Sequence, residues 1–312
     1  MAMFPGRPTL LIGTAALALP VAAALLALVP PADHPQAAAA RPLPSGALPP
    51  RIAAASLGKM TFEEEFRSLD AGTDQTRPAR PHRWRTVNGY GGPDAADNRA
   101  LSRTTLAVDR NYAGVGGKKP LGIDPFSTSA DGLTITARKA PAALAPALFG
   151  RSWTSGLLTT KFSFAQRHGY FEAVMDIPVC EKGMWPAFWL LPTTLGWPLH
   201  GEIDAPEAIG DGKLYWSTVS KASGRKEETH AITKPSCERG FHAYGILWRP
   251  DRIGFYYDRA LVGQAATPAD YTEPMFMILN LTVGGSWPGE PPATTTSATM
   301  RVRSVRVWDG YR

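Results

Sequence analysis

The chain has 312 residues, 44% of them hydrophobic, with 30 glycines and 29 prolines; this fits one sizeable, turn-rich globular domain and excludes a disordered or fibrous chain. Its 33 Lys and Arg outweigh 27 Asp and Glu to give a net charge of +6. The basic residues are scattered, with no block of five or six, so nucleic acid is not an expected partner and the charge tilts instead toward an anionic substrate or surface.

After the single Arg7, the amino end runs uncharged and apolar from Thr9 to Val29, and an alanine cluster follows at Ala37 to Ala40. Residues 1–29 read as an export signal. The 21-residue run from Thr9 to Val29 is also long enough to cross a bilayer, so an uncleaved anchor holding the protein to the inner membrane is the competing reading. Either reading places the body of the protein outside the cytoplasm, as a secreted, periplasmic or extracellular protein. Residues 30–55 carry Pro30, Pro31, Pro35, Pro42, Pro44, Pro49 and Pro50 among alanines and read as a linker without a core, leaving 56–312 as the folded domain.

From Met60 onward the signals are strands. "GLTITARKA" alternates Leu133 and Ile135 with Thr134 and Thr136, "GYFEAVMDIPV" is rich in β-branched and aromatic residues, and "DRIGFYYDRALVGQ" reads as two short strands across a turn at Asp258 and Arg259. "PMFMILNLTVGG" and "MRVRSVRVW" continue the pattern, and no stretch shows sustained helical spacing. Many short strands without interleaved helices predict an all-β, antiparallel sandwich or barrel, and a monomer is expected. The two cysteines, Cys180 and Cys237, are too few for a zinc site of the usual spacing, and in an exported protein such a pair is expected to form a disulfide.

One segment concentrates the chemistry. "HGEIDAPEAIGDG" places Glu202, Asp204 and Glu207 within six residues, directly after the aromatic strand "GMWPAFWLLP". On a strand Glu202 and Asp204 share a face, but Glu207 would point away. A β-bulge at Ala205 and Pro206 restores the phase, and Pro206 is tolerated there because a bulge leaves a ladder position unpaired. Brought together, Glu202 and Glu207 could approach the roughly 5 to 5.5 Å needed by a nucleophile and an acid/base in retaining glycoside hydrolysis, with Asp204 helping to hold their titrations apart. A solvated acidic loop or edge strand is the alternative reading of these residues alone. Trp185, Trp197 and Trp287 are candidates for sugar stacking, with Trp189 read as a core residue, and Asn280 is a candidate polar contact in the cleft. His200, His230 and His242 are assigned no catalysis.

The pattern Glu-x-Asp-x-x-Glu, with "WPAFWLLP" and "GWP" before it and "MILNLTVGGSWPG" after it, resembles glycoside hydrolase family 16, the laminarinase, lichenase and agarase group. "TFEEEF", "SGLLTTKFSFAQRHGYFEA", "FHAYGILWRPDRIGFYYD" and the final "VRVW" extend the resemblance over roughly residues 60 to 312. It implies a concanavalin-like β-jelly roll with a concave catalytic cleft, with Glu202 as nucleophile, Asp204 as assisting acid and Glu207 as acid/base. "PFSTSADGLTITA" and "NYAGVGGKKPLGIDPF" look most like the branch that includes exopolysaccharide depolymerases acting on succinoglycan-like polymers. The chain departs from family patterns at three places: Ser220 stands near a position that often offers a His to the cleft, Ala100 replaces a usual Glu, and "HGYFEAV" lacks two arginines. The position that often supports a structural calcium reads Arg303 or Ser304, so no cofactor is expected. The resemblance thus implies an exported, retaining endo-β-glycanase acting on a β-1,3/1,4-glucan or a succinoglycan-like exopolysaccharide. The rivals are a cell-envelope glucan transglycosylase using the same acids and a lectin-like domain that binds carbohydrate without turnover.

Overall fold

Alternating apolar and polar residues of the kind just described build strands throughout the protein, whose structure, a computed structural model, describes residues 47–73, 82–87, 101–194, 196–224 and 226–312. The apolar segment 1–29, linker residues 30–46 and Ala100 lie outside the described residues. Among the described residues no helix is long and apolar enough to cross a membrane.

The strands in chain order are β1 (Met60–Glu64), β2 (Ala71–Gly72), β3 (Trp84–Arg85), β4 (Thr105–Ala107), β5 (Phe126–Ser129), β6 (Gly132–Lys139), β7 (Trp153–Ser155), β8 (Leu157–Thr159) and β9 (Gly169–Asp176). They continue with β10 (Met184–Pro192), β11 (Glu202–Ala208), β12 (Leu214–Ser220), β13 (Lys226–Thr233), β14 (His242–Trp248), β15 (Arg252–Tyr257), β16 (Ala260–Ala266), β17 (Met275–Val283) and β18 (Ser297–Trp308). A front sheet runs in the order β13-β12-β11-β10-β17-β8-β3-β2, and a back sheet in the order β16-β15-β14-β9-β18-β6-β7-β4, with β1 on β18 and β5 on β6. Pairing is antiparallel except for two short parallel pairs at the sheet margins, β2 with β3 and β4 with β7. This is the antiparallel β-sandwich that the strand-rich sequence predicts.

The core lies between the sheets. Phe171 and Met175 from β9, Ile246 and Trp248 from β14, Phe188 and Leu190 from β10, Trp216 from β12 and Leu279 from β17 meet there and are excluded from water. At about 25 cal/mol per Å² of apolar surface, burying side chains of this size is the main force closing the two layers. Because side chains alternate, their chain neighbours face outward. On the front sheet these are Ala187, Trp189, Leu191, Phe276 and Ile278, which form a second apolar cluster on the outer face.

The back sheet carries a third cluster on its outer face, where Tyr170, Leu247, Tyr256 and Trp308 receive Leu48 and Ile52 from the amino-terminal segment. The expectation that residues 30–55 form a linker without a core is therefore corrected at its carboxyl end. The Ile52 N–H donates to the Arg259 carbonyl, and the Leu261 N–H and Tyr256 hydroxyl donate to the Pro50 and Pro49 carbonyls. The physical reason is that proline loses a donor but keeps its carbonyl, so a proline-rich segment can still be stitched to a sheet that supplies the N–H groups.

Cys180, in the connection from β9 to β10, forms a disulfide with Cys237, in the connection from β13 to β14. The bridge ties together the turns at one end of both sheets. With 57 residues separating the cysteines, chain entropy assigns the bridge about 4 kcal/mol. Replacing both by Ser should lower the melting temperature by roughly 8 to 16 °C; a melt that does not move would show that the bridge contributes no stability.

Candidate active site

Strand β11 carries the acids because its alternation sends Ile203, Ala205 and Ala208 into the inter-sheet core. Glu202 and Asp204 thereby face outward from the front sheet, and Glu207 joins them only if the strand gains a residue. It does: the three steps from Asp204 to Glu207 are matched by two on β12, Ser217 to Tyr215, and by two on β10, Trp189 to Ala187. The extra residue falls at Ala205 and Pro206, whose peptide bond is cis. The register then lays out two rows across the sheet, Tyr215-Glu207-Ala187-Asn280-Leu157 and Ser217-Asp204-Trp189-Ile278-Thr159.

Each acid has its own donor. Trp185 Nε1 donates to Glu207 Oε1 at 2.7 Å, and Trp197 Nε1 donates to Glu202 Oε2. The Ser217 hydroxyl is 3.0 Å from Asp204 Oδ2 and 3.3 Å from Oε1 of a fourth acid, Glu227. Asp204 is also hydrogen-bonded to Glu202. Tyr271, in the connection leading into β17, binds the carbonyls of both Glu202 and Val219 through its hydroxyl, fixing the start of β11 against the end of β12. Gly201 makes this possible, since a Cβ there would lie 1.8 Å from the Tyr271 ring.

Burial dominates the electrostatics. It pushes the Glu202 carboxyl up to about 7, with Glu227 adding repulsion and the Trp197 and Asp204 hydrogen bonds opposing it. Burial holds Asp204 well above the ordinary carboxyl range, reinforced by the charges of Glu202, Glu207 and Glu227. Glu207 is likewise held well above it by burial and by Glu227, against the stabilising Trp185 N–H. Carboxyl oxygens of Asp204, Glu207 and Glu227 lie within 4.8 Å of one another. As a cation cage this set falls short: three carboxylates already engaged by an indole and a hydroxyl do not supply the 6 to 8 oxygens that calcium takes. The family's calcium position does not fit either, because the Arg303 guanidinium lies over Phe241 at 3.9 Å and Ser304 accepts a hydrogen bond from Arg306.

The other anticipated residues divide. Trp185 and Trp197 lie at the acids, and Trp197 remains 47% exposed, with an open ring beside Glu202. Trp287 packs edge-on against Trp185 and Tyr215, with ring centroids 5.4 and 5.2 Å away. Asn280 is buried in the row of Glu207, but its partners are the Trp189 indole and Thr282. Ser220 is a correction. On β12 the residues facing outward with the acids are Tyr215, Ser217 and Val219, so Ser220 falls on the opposite face, where its hydroxyl is bound to Asp270. The polar residue that β12 does offer is Ser217. His230 is bound to Thr218 and stacked on Phe255, and burial pushes it down to about 4, while His200 and His242 are bound to Thr272 and Asp258.

Glu227 and Tyr271 had no signal of comparable strength. "RKEETH" reads as a charged edge strand, and only the pairing of Glu227 with Val219, itself opposite Glu202, brings it to this face.

A family model described as glycosyl hydrolases family 16 matches residues 121–304. The chain is 43% identical over 232 residues to the endo-1,3-1,4-beta-glycanase ExsH of Rhizobium meliloti, covering 74% of this chain and 47% of that protein. It is 30% identical to a beta-glucanase of Rhodothermus marinus, covering 51% of this chain and 63% of that protein. The chain thus spans less than two thirds of the length of these relatives. The laminarinase catalytic domain of Thermotoga maritima superposes with a TM-score of 0.60 at 23% identity over 81% of this chain and 99% of that one, a likeness of fold.

The burial of these acids has a thermodynamic consequence. A carboxyl whose folded pKa is raised stabilises the fold fully below its unfolded value and loses that contribution as pH rises through the folded value. For Glu202 the window runs from 4.5 to about 7. Glu202→Gln should therefore gain on wild type across that window, by on the order of 2 kcal/mol once water access is allowed for. Thermal melts of both proteins at pH 4 and pH 8 test it; a constant difference between the two melting temperatures would contradict the raised pKa.

Proposed function

Since the chain belongs to family 16 of the glycosyl hydrolases, we propose that it is an exported endo-β-glycanase that cleaves a β-1,3/1,4-linked glucan, or a succinoglycan-like exopolysaccharide, with retention of configuration. The observation that carries this reading is the bulged strand β11, which turns Glu202, Asp204 and Glu207 to one face. Glu202 attacks the anomeric carbon while Glu207 gives its proton to the leaving glycosidic oxygen, so the chain is cut and the remaining sugar is esterified to Glu202. Water then attacks that ester, Glu207 takes the water's proton, and Glu202 is released. The buried setting that keeps Glu207 protonated suits the first step.

The hydrogen bonds support this division of labour. Trp197 stabilises the ionised form of Glu202, and Asp204 adds a second hydrogen bond to it. Trp185 orients Glu207 from the neighbouring strand. The exposed ring of Trp197, beside Glu202, is a surface on which a sugar ring can stack, and Trp287, edge-on to the Trp185 that holds Glu207, is a second candidate. The names carried by the ExsH and Rhodothermus relatives support the choice of β-linked glucans as first substrates.

Two experiments test the reading. Glu202→Gln and Glu207→Gln should each reduce cleavage of laminarin, mixed-linkage glucan or succinoglycan by about a thousandfold or more while leaving the circular dichroism unchanged. Proton NMR of the first products should show the β-anomer; the α-anomer appearing first would overturn retention, and products lengthened by an added acceptor would identify a transglycosylase. The second test addresses the strand phase. Deleting Pro206 leaves Glu-x-Asp-x-Glu, which alternates without a bulge and should retain measurable activity, whereas deleting Ala205 and Pro206 together turns Glu207 to the core side and should abolish it. Equal activity of the two deletions would refute the role given to the bulge.

A further inference from the structure

The two-carboxylate reaction proposed above employs Glu202 and Glu207 and places Asp204 beside the nucleophile. It gives no part to Glu227, although the carboxyl of Glu227 lies within 4.8 Å of both Asp204 and Glu207. Glu227 reaches them from β13, two strands away from β11. Its arrival depends on a second irregularity of the front sheet, where Thr229 pairs with Ser217 but Ala231 pairs with Trp216, leaving His230 as an extra residue in β13. Beyond that step, Glu227 stands opposite Val219 and on the face of the acids, with Ser217 joining it to Asp204.

We propose that Glu227 is a positioning residue of this active site, whose carboxylate keeps the shared proton on Glu207 between catalytic cycles so that the acid is loaded when a glycan arrives. The inference rests on the reading of Glu207 as acid/base. Its physical basis is that a negative charge within 4.8 Å of the buried Glu207 carboxyl disfavours a second charge there. Glu207 is faced by groups from β10, β11 and β12 besides Glu227. Its own strand contributes Glu202 and Asp204, β10 contributes the Trp185 N–H, and β12 contributes Ser217 and Tyr215, whose hydroxyl is held by Asp211. Lys213 is engaged by Asp211 in turn. Trp185 favours the charged form of Glu207, against the burial that keeps the proton there. Glu227 reinforces burial and, of the charges acting on Glu207, has the largest effect.

The test is the pH dependence of kcat/KM. Glu227→Gln keeps size and shape but removes the charge, and should move the alkaline limb down by roughly one pH unit, with activity on the acid side little changed. Glu227→Asp should restore the limb. Loss of activity at every pH with an unmoved limb would show a merely structural residue and overturn the proposal. A second measurement needs no substrate: a carbon-13 NMR titration of the carboxyl groups in the wild-type chain, with Glu207 assigned by Glu207→Gln. The Glu207 signal should carry a further inflection from a neighbouring carboxyl besides Glu202 and Asp204, and that inflection should disappear in Glu227→Gln where this variant folds. A titration of Glu207 with no such inflection overturns the proposal, whereas a wild-type protein that titrates as expected but cleaves no glycan would instead overturn the functional reading.

Discussion

Like charges out of water repel, and the site on the front sheet is arranged around that fact. Four carboxyl groups gather on one face, and for the three on β11 burial already disfavours ionisation, so the protonation states of those three are settled jointly rather than one by one. The sandwich answers with a separate neutral donor for each of the strand's three acids: an indole from β10, an indole from the connection between β10 and β11, and a hydroxyl from β12. Neutral donors favour a carboxylate without cancelling its charge, so they oppose the burial that raises Glu202 and Glu207 without overcoming it. A lysine or arginine in any of those places would have drawn both toward full ionisation.

This arrangement has to be held by parts that carry no charge. The Tyr271 hydroxyl joins the backbone of Glu202 to that of Val219, and Gly201 leaves room for the ring. Ile203, Ala205 and Ala208 hold the inner face of β11 in the core, so the acids cannot roll away from the surface without exposing it. The apolar interior thus fixes the direction in which the polar residues point, and the donors fix how each of them ionises.

Much of this was legible in the sequence, for reasons that differ from residue to residue. Period-two alternation announces strands, and the odd spacing between Asp204 and Glu207 announces an insertion in one of them, because only an extra residue reconciles that spacing with a shared face. The sandwich and the bulge are local consequences of local pattern. Glu227, Ser217 and Tyr271 lie 20, 10 and 64 positions from Glu207 by their numbers in the chain, and their approach depends on cross-strand register, which a single strand's pattern does not encode. The misplacement of Ser220 has the same origin: a shift of three along β12 exchanges one face for the other, and nothing within "LYWSTVS" marks which hydroxyl looks outward. The proline-rich approach to the domain was misread at its end because composition reports what a segment cannot donate and is silent on what it can accept.

The same approach segment determines how the folded domain takes up a mechanical load. Residues 47–52 lie on the outer face of the back sheet, laced to the hairpin of β15 and β16 by hydrogen bonds at Pro49, Pro50 and Ile52. The acids lie on the outer face of the other sheet. A pull along the chain from upstream therefore meets that hairpin first and must shear its row of bonds before any force crosses the core to β11. A handle attached there would grip the domain from behind and leave the opposite face turned toward a polymer in solution.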